Sequence, residues 1–149
     1  MPDLMDTYME NRQSVQPHHA NALGTAHGGN VMKWMDTYGA LSAMRFAGET
    51  VVTARMDQVN FSRPIPVGNT AVVTSYVYAA GTTSVRVRLV TEAEDARTGE
   101  AEQTTSSYAV YVAVDEDREP TPVPELTPAS ERGEELRRAA LDGENQAER

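Results

Sequence analysis

The stretch from Gly28 to Ala47 constrains this chain's fold most, because it reads as a long helix and the pattern then changes at once. At 100° per residue, Val31, Met32, Met35, Gly39, Ser42, Ala43 and Phe46 fall on one side, with Lys33, Thr37 and Met44 opposite. Gly48 supplies the residue that ends such a helix. The apolar face is rich in Gly and Ala, and small residues let a helix lie very close to a sheet. After Gly48 the period becomes two. Thr50 to Phe61 reads as a strand, followed by the turn-rich Arg63-Pro64-Ile65-Pro66-Val67-Gly68. Thr70 to Ala79 reads as a second strand. In the third, Val85, Val87 and Leu89 alternate with Ser84, Arg86 and Arg88. Thr98-Gly99 marks a turn before a fourth, Thr104 to Val114. Strands joined by short turns imply an antiparallel meander, and one helix with a meander is α+β, with the helix on the sheet's inner face.

The ends are less informative. Arg12 to Gln16 has the character of a short strand, and Pro17 starts a polar loop. Pro120, Pro122, Pro124 and Pro128 predict an extended segment over residues 115 to 128. Ser130 to Leu141 reads as an exposed helix with Leu136 and Leu141 as its apolar anchors, and the last residues as disordered. The expected organisation is one domain over residues 1 to 128 and an acidic tail over 129 to 149.

Composition excludes several classes. With no cysteine there is no disulfide, thiolate metal site or cysteine nucleophile. No run approaches the roughly 20 apolar residues that span a bilayer, and Asp3, Asp6 and Glu10 interrupt any signal-like segment. A soluble cytoplasmic protein is the expectation. The net charge of -9 disfavours nonspecific binding to nucleic acid or anionic membrane. Residues 115 to 149 carry 11 acidic and 5 basic residues, so this C-terminal stretch holds most of that excess. Among 13 basic residues only Lys33 is a lysine. That pattern suits a protein working at high salt; a GC-rich genome, which favours arginine codons, is the alternative.

Asp36 is the first candidate for chemistry. Its helical angle puts it on the edge of the apolar face, near Ala40, Ala43 and Ala47, where partial desolvation makes a carboxylate a better base. The competing reading is a solvated boundary residue, or one paired with Lys33. His27-Gly28-Gly29 leads into the helix. The first amides of a helix lack internal partners and sit at the positive end of its dipole, so Gly28 and Gly29 are candidates to hold an oxyanion. His18, His19 and His27 lack the partners of a metal site, and loop positions explain them better. Trp34 and the methionines Met32, Met35 and Met44 read as core or interface.

Asn21-Ala22-Leu23-Gly24-Thr25-Ala26-His27-Gly28-Gly29, then Met32 and Trp34-Met35-Asp36, resembles the signature of the acyl-CoA hydrolase branch of hot-dog thioesterases. The likeness continues through Val52-Thr53-Ala54, Asp57, Phe61, Pro64 to Gly68, Gly81-Thr82-Thr83-Ser84, Tyr111 to Asp115 and Pro122-Val123-Pro124, about residues 15 to 128 in order. The resemblance implies a hot-dog fold, a sheet wrapped around one long helix, with active sites at a dimer interface and often a trimer of dimers. It implies hydrolysis of acyl-CoA without metal or cofactor. Asp36 would be the base or nucleophile, Asn21 would position water or thioester from the other subunit, and the Gly28 and Gly29 amides would polarise the carbonyl. In the related 4-hydroxybenzoyl-CoA branch a Thr follows the carboxylate by one turn; here that position is Ala40, so its role passes elsewhere, with Asn21 one candidate. CoA phosphates call for cations, and Arg63, Arg86 and Arg88 are candidates, with Thr82 and Ser84 as hydroxyl donors. A solvated strand face is the competing reading for Arg86 and Arg88. Two other functions stay open: a hot-dog hydratase or dehydratase using His27 with Asp36, and a non-catalytic acyl-CoA-binding oligomer.

Overall fold

A computed structural model describes residues 2–147. The helix α1 spans Gly28–Ala47, as the pattern predicts. His27 caps its start, with Nδ1 accepting from the Gly29 amide at 3.0 Å, and Gly48 ends it at φ 69° with its amide on the Met44 carbonyl. The buried side of α1 includes Val31, Trp34, Met35, Gly39, Ser42, Ala43 and Phe46. Burying each of its large apolar side chains stabilises the fold by about 1.5–3 kcal/mol. Met32, placed on that face by the sequence, is only half-buried, and Trp34 takes its place in the core.

Five antiparallel strands form one sheet: β1 (Met9–Ser14), β2 (Thr50–Phe61), β3 (Thr70–Ala80), β4 (Ser84–Glu94) and β5 (Ala101–Val114). The first strand begins three residues earlier than the sequence suggests and ends before Gln16, ahead of Pro17. The strand order is β1-β3-β4-β5-β2, which corrects the simple meander. Only β3, β4 and β5 follow one another; β2 crosses to the far edge and pairs with β5. The connection after β2 explains this. Ser62 donates to Thr104 on β5, while at the other end Gly68 donates to Val15 just after β1. Residues 62–69 therefore traverse the end of the sheet, and Ile65, 2% exposed, plugs it.

Helix α1 lies across the inner face against Val73, Val77, Val85, Val87, Leu89, Ala109 and Tyr111. The outer face carries Tyr76, Tyr78 and Tyr108, and a second helix, α2 (Glu131–Ala147), covers it with Leu136, Ala140 and Leu141. The exposed helix expected at Ser130 to Leu141 is thus longer and seated on the sheet. Its Glu144 is buried, accepting from the Tyr78 hydroxyl at 2.7 Å and paired with Arg86 at 3.2 Å. The disorder expected of the last residues does not apply through Ala147; residues 148 and 149 lie outside those described. The proline-rich segment runs extended only from Pro120 on, tied through Thr121 to Ala113 and through Val123 to Thr82. Residues 115–119, also expected to be extended, instead form a turn in which Arg118, at φ 62°, donates to the Asp115 carbonyl and the Asp115 amide donates to Glu119. No helix among the described residues is long and apolar enough to cross a membrane.

Candidate active site

Asp36 sits two turns into α1, half-buried and facing β2 and β5. Its Oδ1 accepts from Thr53 Oγ1 at 2.6 Å and from the Tyr111 hydroxyl at 3.2 Å. Thr53 and Tyr111 are opposite one another in the β2–β5 ladder, so their side chains leave the same face together. The register shifts between Thr53 and Arg55, a bulge that bends β2 just past this pair. Lys33 is exposed and makes no ion pair among the described residues, so the predicted alternative of a Lys33–Asp36 pair is not what forms. Thr53 is the functional candidate that reasoning from the residues missed. It stood inside the quoted Val52-Thr53-Ala54, but only the β2–β5 pairing reveals which side chain it meets.

Asn21 lies elsewhere. It caps its own loop, with Oδ1 accepting from the amides of Leu23 at 2.9 Å and Thr25 at 3.2 Å. It lines a cavity of about 310 Å3 together with Gly28, Val31, Phe61, Arg63 and Ile65. Asp36 does not line that cavity, and eight residues of helix separate it from Gly28, about 12 Å along the axis. Within one chain, then, the structure brings Asn21, Gly28 and Arg63 together and leaves Asp36 apart.

The two glycine amides differ. That of Gly29 is occupied by His27, whereas that of Gly28 makes no hydrogen bond among the described residues, and Gly28 lines the cavity at the positive end of α1. Of the two amides expected to hold an oxyanion, only that of Gly28 is without a partner among the described residues. The same contact occupies His27 as a cap, nine residues of chain from Asp36. The His27–Asp36 dyad of a hydratase does not form. His19 serves its loop, with Nδ1 accepting from Gln16 and its ring edge-on to Trp34 at 5.0 Å. No group of three or more His, Asp or Glu among the described residues is arranged to hold a metal.

Arg86 and Arg88 point away from Asp36. Because Val85, Val87 and Leu89 face α1, their neighbours face α2. Arg86 pairs with Glu144, and Arg88 lies 4.2 Å over the Tyr108 ring while donating to the Ser107 carbonyl. Ser84 and Arg86, with Arg55, line a separate cavity of about 590 Å3 at the β3–β4 hairpin. Thr82 is exposed on that hairpin, its carbonyl accepting from Val123.

The sequence profile of the thioesterase superfamily matches residues 23–100, a span that includes α1, Asp36 and Thr53. The chain belongs to the thioesterase superfamily. Among this member's relatives is YkhA of Bacillus subtilis, described as an uncharacterised acyl-CoA thioester hydrolase, 34% identical over 89% of this chain and 77% of its own. A solved hexameric acyl-CoA thioesterase is 34% identical, with a TM-score of 0.87 over 99% of this chain and 95% of that one. An acyl-CoA hydrolase from Staphylococcus aureus, solved with butyryl-CoA and CoA, is 27% identical with a TM-score of 0.87 over 99% and 90% of the two chains. The same hydrolase has been solved with an aspartate, an asparagine or a threonine replaced by alanine. The hot-dog architecture expected from the resemblance is the one observed.

Proposed function

We propose that this chain hydrolyses acyl-CoA thioesters, with Asp36 as the carboxylate that acts on the thioester. The observation that carries the reading is a helix carboxylate held by Thr53 and Tyr111 in a member of this superfamily. Spacing supports it. In the Staphylococcus aureus variants the asparagine and aspartate are 15 residues apart and the aspartate and threonine 17, the separations of Asn21 from Asp36 and of Asp36 from Thr53 here. With Asp36 as base, the carboxylate takes a proton from water as the water oxygen adds to the acyl carbon, and the carbon–sulfur bond then breaks with that proton passing to sulfur as the CoA thiol. With Asp36 as nucleophile, its attack on the acyl carbon breaks the carbon–sulfur bond first, the thiolate takes its proton from solvent, and water then cleaves the acyl–Asp36 anhydride to free the acid and restore the carboxylate. The Gly28 amide, and Gly29 if released by His27, would hold the carbonyl oxygen as charge develops on it, supplied by the subunit that gives Asn21 and not by the one that gives Asp36. Arg63, beside Asn21 in the cavity, is the first candidate for a CoA phosphate; Ser84 and Arg86 at the hairpin, with Thr82 nearby, are the second, and Arg88 is held by Tyr108.

Assembly follows from the same separation. In one chain Asn21 shares its cavity with Gly28 and not with Asp36, which lies about 12 Å further along α1, so we propose a homodimer or a trimer of such dimers, each site built from two subunits. Strand β2 is a free edge, with Val52 50% exposed, and suits pairing with a second copy. A cytoplasmic location fits the absence of cysteine.

The test is release of free CoA thiol from thioesters between acetyl- and palmitoyl-CoA, at low and multimolar salt, before and after treatment with a chelator. Turnover that survives the chelator is expected. If the acidic, lysine-poor composition reflects a saline habitat, rate and melting temperature rise with salt, because salt screens mutual carboxylate repulsion. Failure to release thiol from any thioester rejects the reading.

Thr53→Val should lower kcat about ten- to a hundredfold while leaving the fold intact. It removes one charge-assisted hydrogen bond from the carboxylate and keeps the shape of a β-branched residue on an exposed strand. Wild-type kcat in this variant would make Thr53 a bystander.

A further inference from the structure

Asp36 is gripped from one side. Both hydroxyls converge on Oδ1, and among the described residues no donor meets Oδ2. The Tyr111 hydroxyl also stands 2.9 Å from the Asp36 backbone carbonyl, so it bridges that residue's main chain and side chain. Tyr111 is fully buried on β5, with its hydroxyl directly under α1. A Cβ at Gly39 would come within 2.5 Å of that oxygen, so the helix can approach this closely only where residue 39 has no side chain.

We infer that Tyr111 is a positioning residue for the hydrolysis proposed above: its hydroxyl, bridging the Asp36 backbone and Oδ1, holds the carboxylate in the rotamer that presents Oδ2 to the acyl-CoA, and Gly39 is the space that hydroxyl requires. The inference rests on that reading of the function. Thr53 lies on the edge strand β2, whereas Tyr111 is fixed by the core. Burial, then the Asp36 charge and the hydrogen bond to it, push the phenol far above its ordinary range, so it remains a donor throughout the working pH range. The charged groups nearby leave Asp36 to these hydroxyls. Arg55 and Asp57 of β2 pair with each other at 2.7 Å, Lys33 of α1 is exposed and without an ion pair among the described residues, and β4 presents Leu89 to this part of α1.

Tyr111→Phe removes the oxygen and keeps the ring. On a CoA thioester that the wild type cleaves, kcat should fall about tenfold or more with KM little changed. The acid limb of the kcat–pH profile should move to higher pH, because the charged carboxylate has lost a donor. Gly39→Ala drives a methyl group onto the hydroxyl without deleting it and should reproduce both effects. Adding Gly39→Ala to Tyr111→Phe should move the profile no further. Thermal melts identify which variants are folded, and Gly39→Ala carries the test if Tyr111→Phe is not. A folded Tyr111→Phe enzyme with wild-type kcat and pH profile overturns the inference, as does a loss of kcat with an unmoved acid limb. A wild type inactive on every acyl-CoA overturns the functional reading instead, and that result needs no variant.

Discussion

Asp36→Asn should fold like the wild type and lose about two to four orders of magnitude in kcat, the usual worth of a positioned acid–base group or more. The substitution keeps the side chain's size, and its amide oxygen can still accept from Thr53 Oγ1 and Tyr111. What it removes is the negative charge and the ability to take a proton or attack a carbon. The loss should therefore appear in kcat far more than in KM, because CoA contacts elsewhere are untouched. Asp36→Ala should lose as much, with a somewhat lower melting temperature, since two hydroxyls then lose an acceptor. Steady-state release of CoA thiol measures both. Turnover by Asp36→Asn within a few-fold of wild type would move the chemistry to another group.

The second large effect is a gain. We propose that each site takes Asn21 from one chain and Asp36 from its partner. Asn21 opens on a cavity with Gly28 and Arg63, while Asp36 lies about 12 Å further along α1, close to the free edge strand β2. Homodimers of Asn21→Ala and of Asp36→Ala should each be severely impaired. Mixing them under conditions of subunit exchange yields heterodimers in which one site carries both lesions and the other neither. Activity should then rise well above either parent, towards half the wild-type rate per heterodimer. Native mass spectrometry would establish that heterodimers are present. Heterodimers that stay at parental activity would reject a shared site. Asn21 also hydrogen-bonds the amides of its own loop, so the melting temperature of Asn21→Ala separates a catalytic loss from a disordered loop.

Local chemistry explains what was legible beforehand. Helix α1 and strand β2 have the bounds that period and the Gly48 stop imply, and β3 is one residue longer than expected. Elements were poorly legible where the stabilising contacts come from afar. Strand β5 starts at Ala101 because β4 continues beside it, and α2 runs past Leu141 because the outer face of the sheet receives Ala140 and Glu144. Arg86 and Arg88 looked like free cations because alternation identifies a face without saying what covers it; Glu144 and Tyr108 meet them there.

The sequence by itself determined the long small-residue helix, the two-residue period after it, the family signature and Asp36 at the edge of a packed face, since each depends on neighbours within a few residues. Only the tertiary structure decided that β2 crosses to the far side of the sheet. That crossing sets Thr53 opposite Tyr111 and aims both hydroxyls at one oxygen of Asp36. The physical reason is that those three residues lie far apart in the chain, and strand pairing, which local pattern does not encode, makes them neighbours.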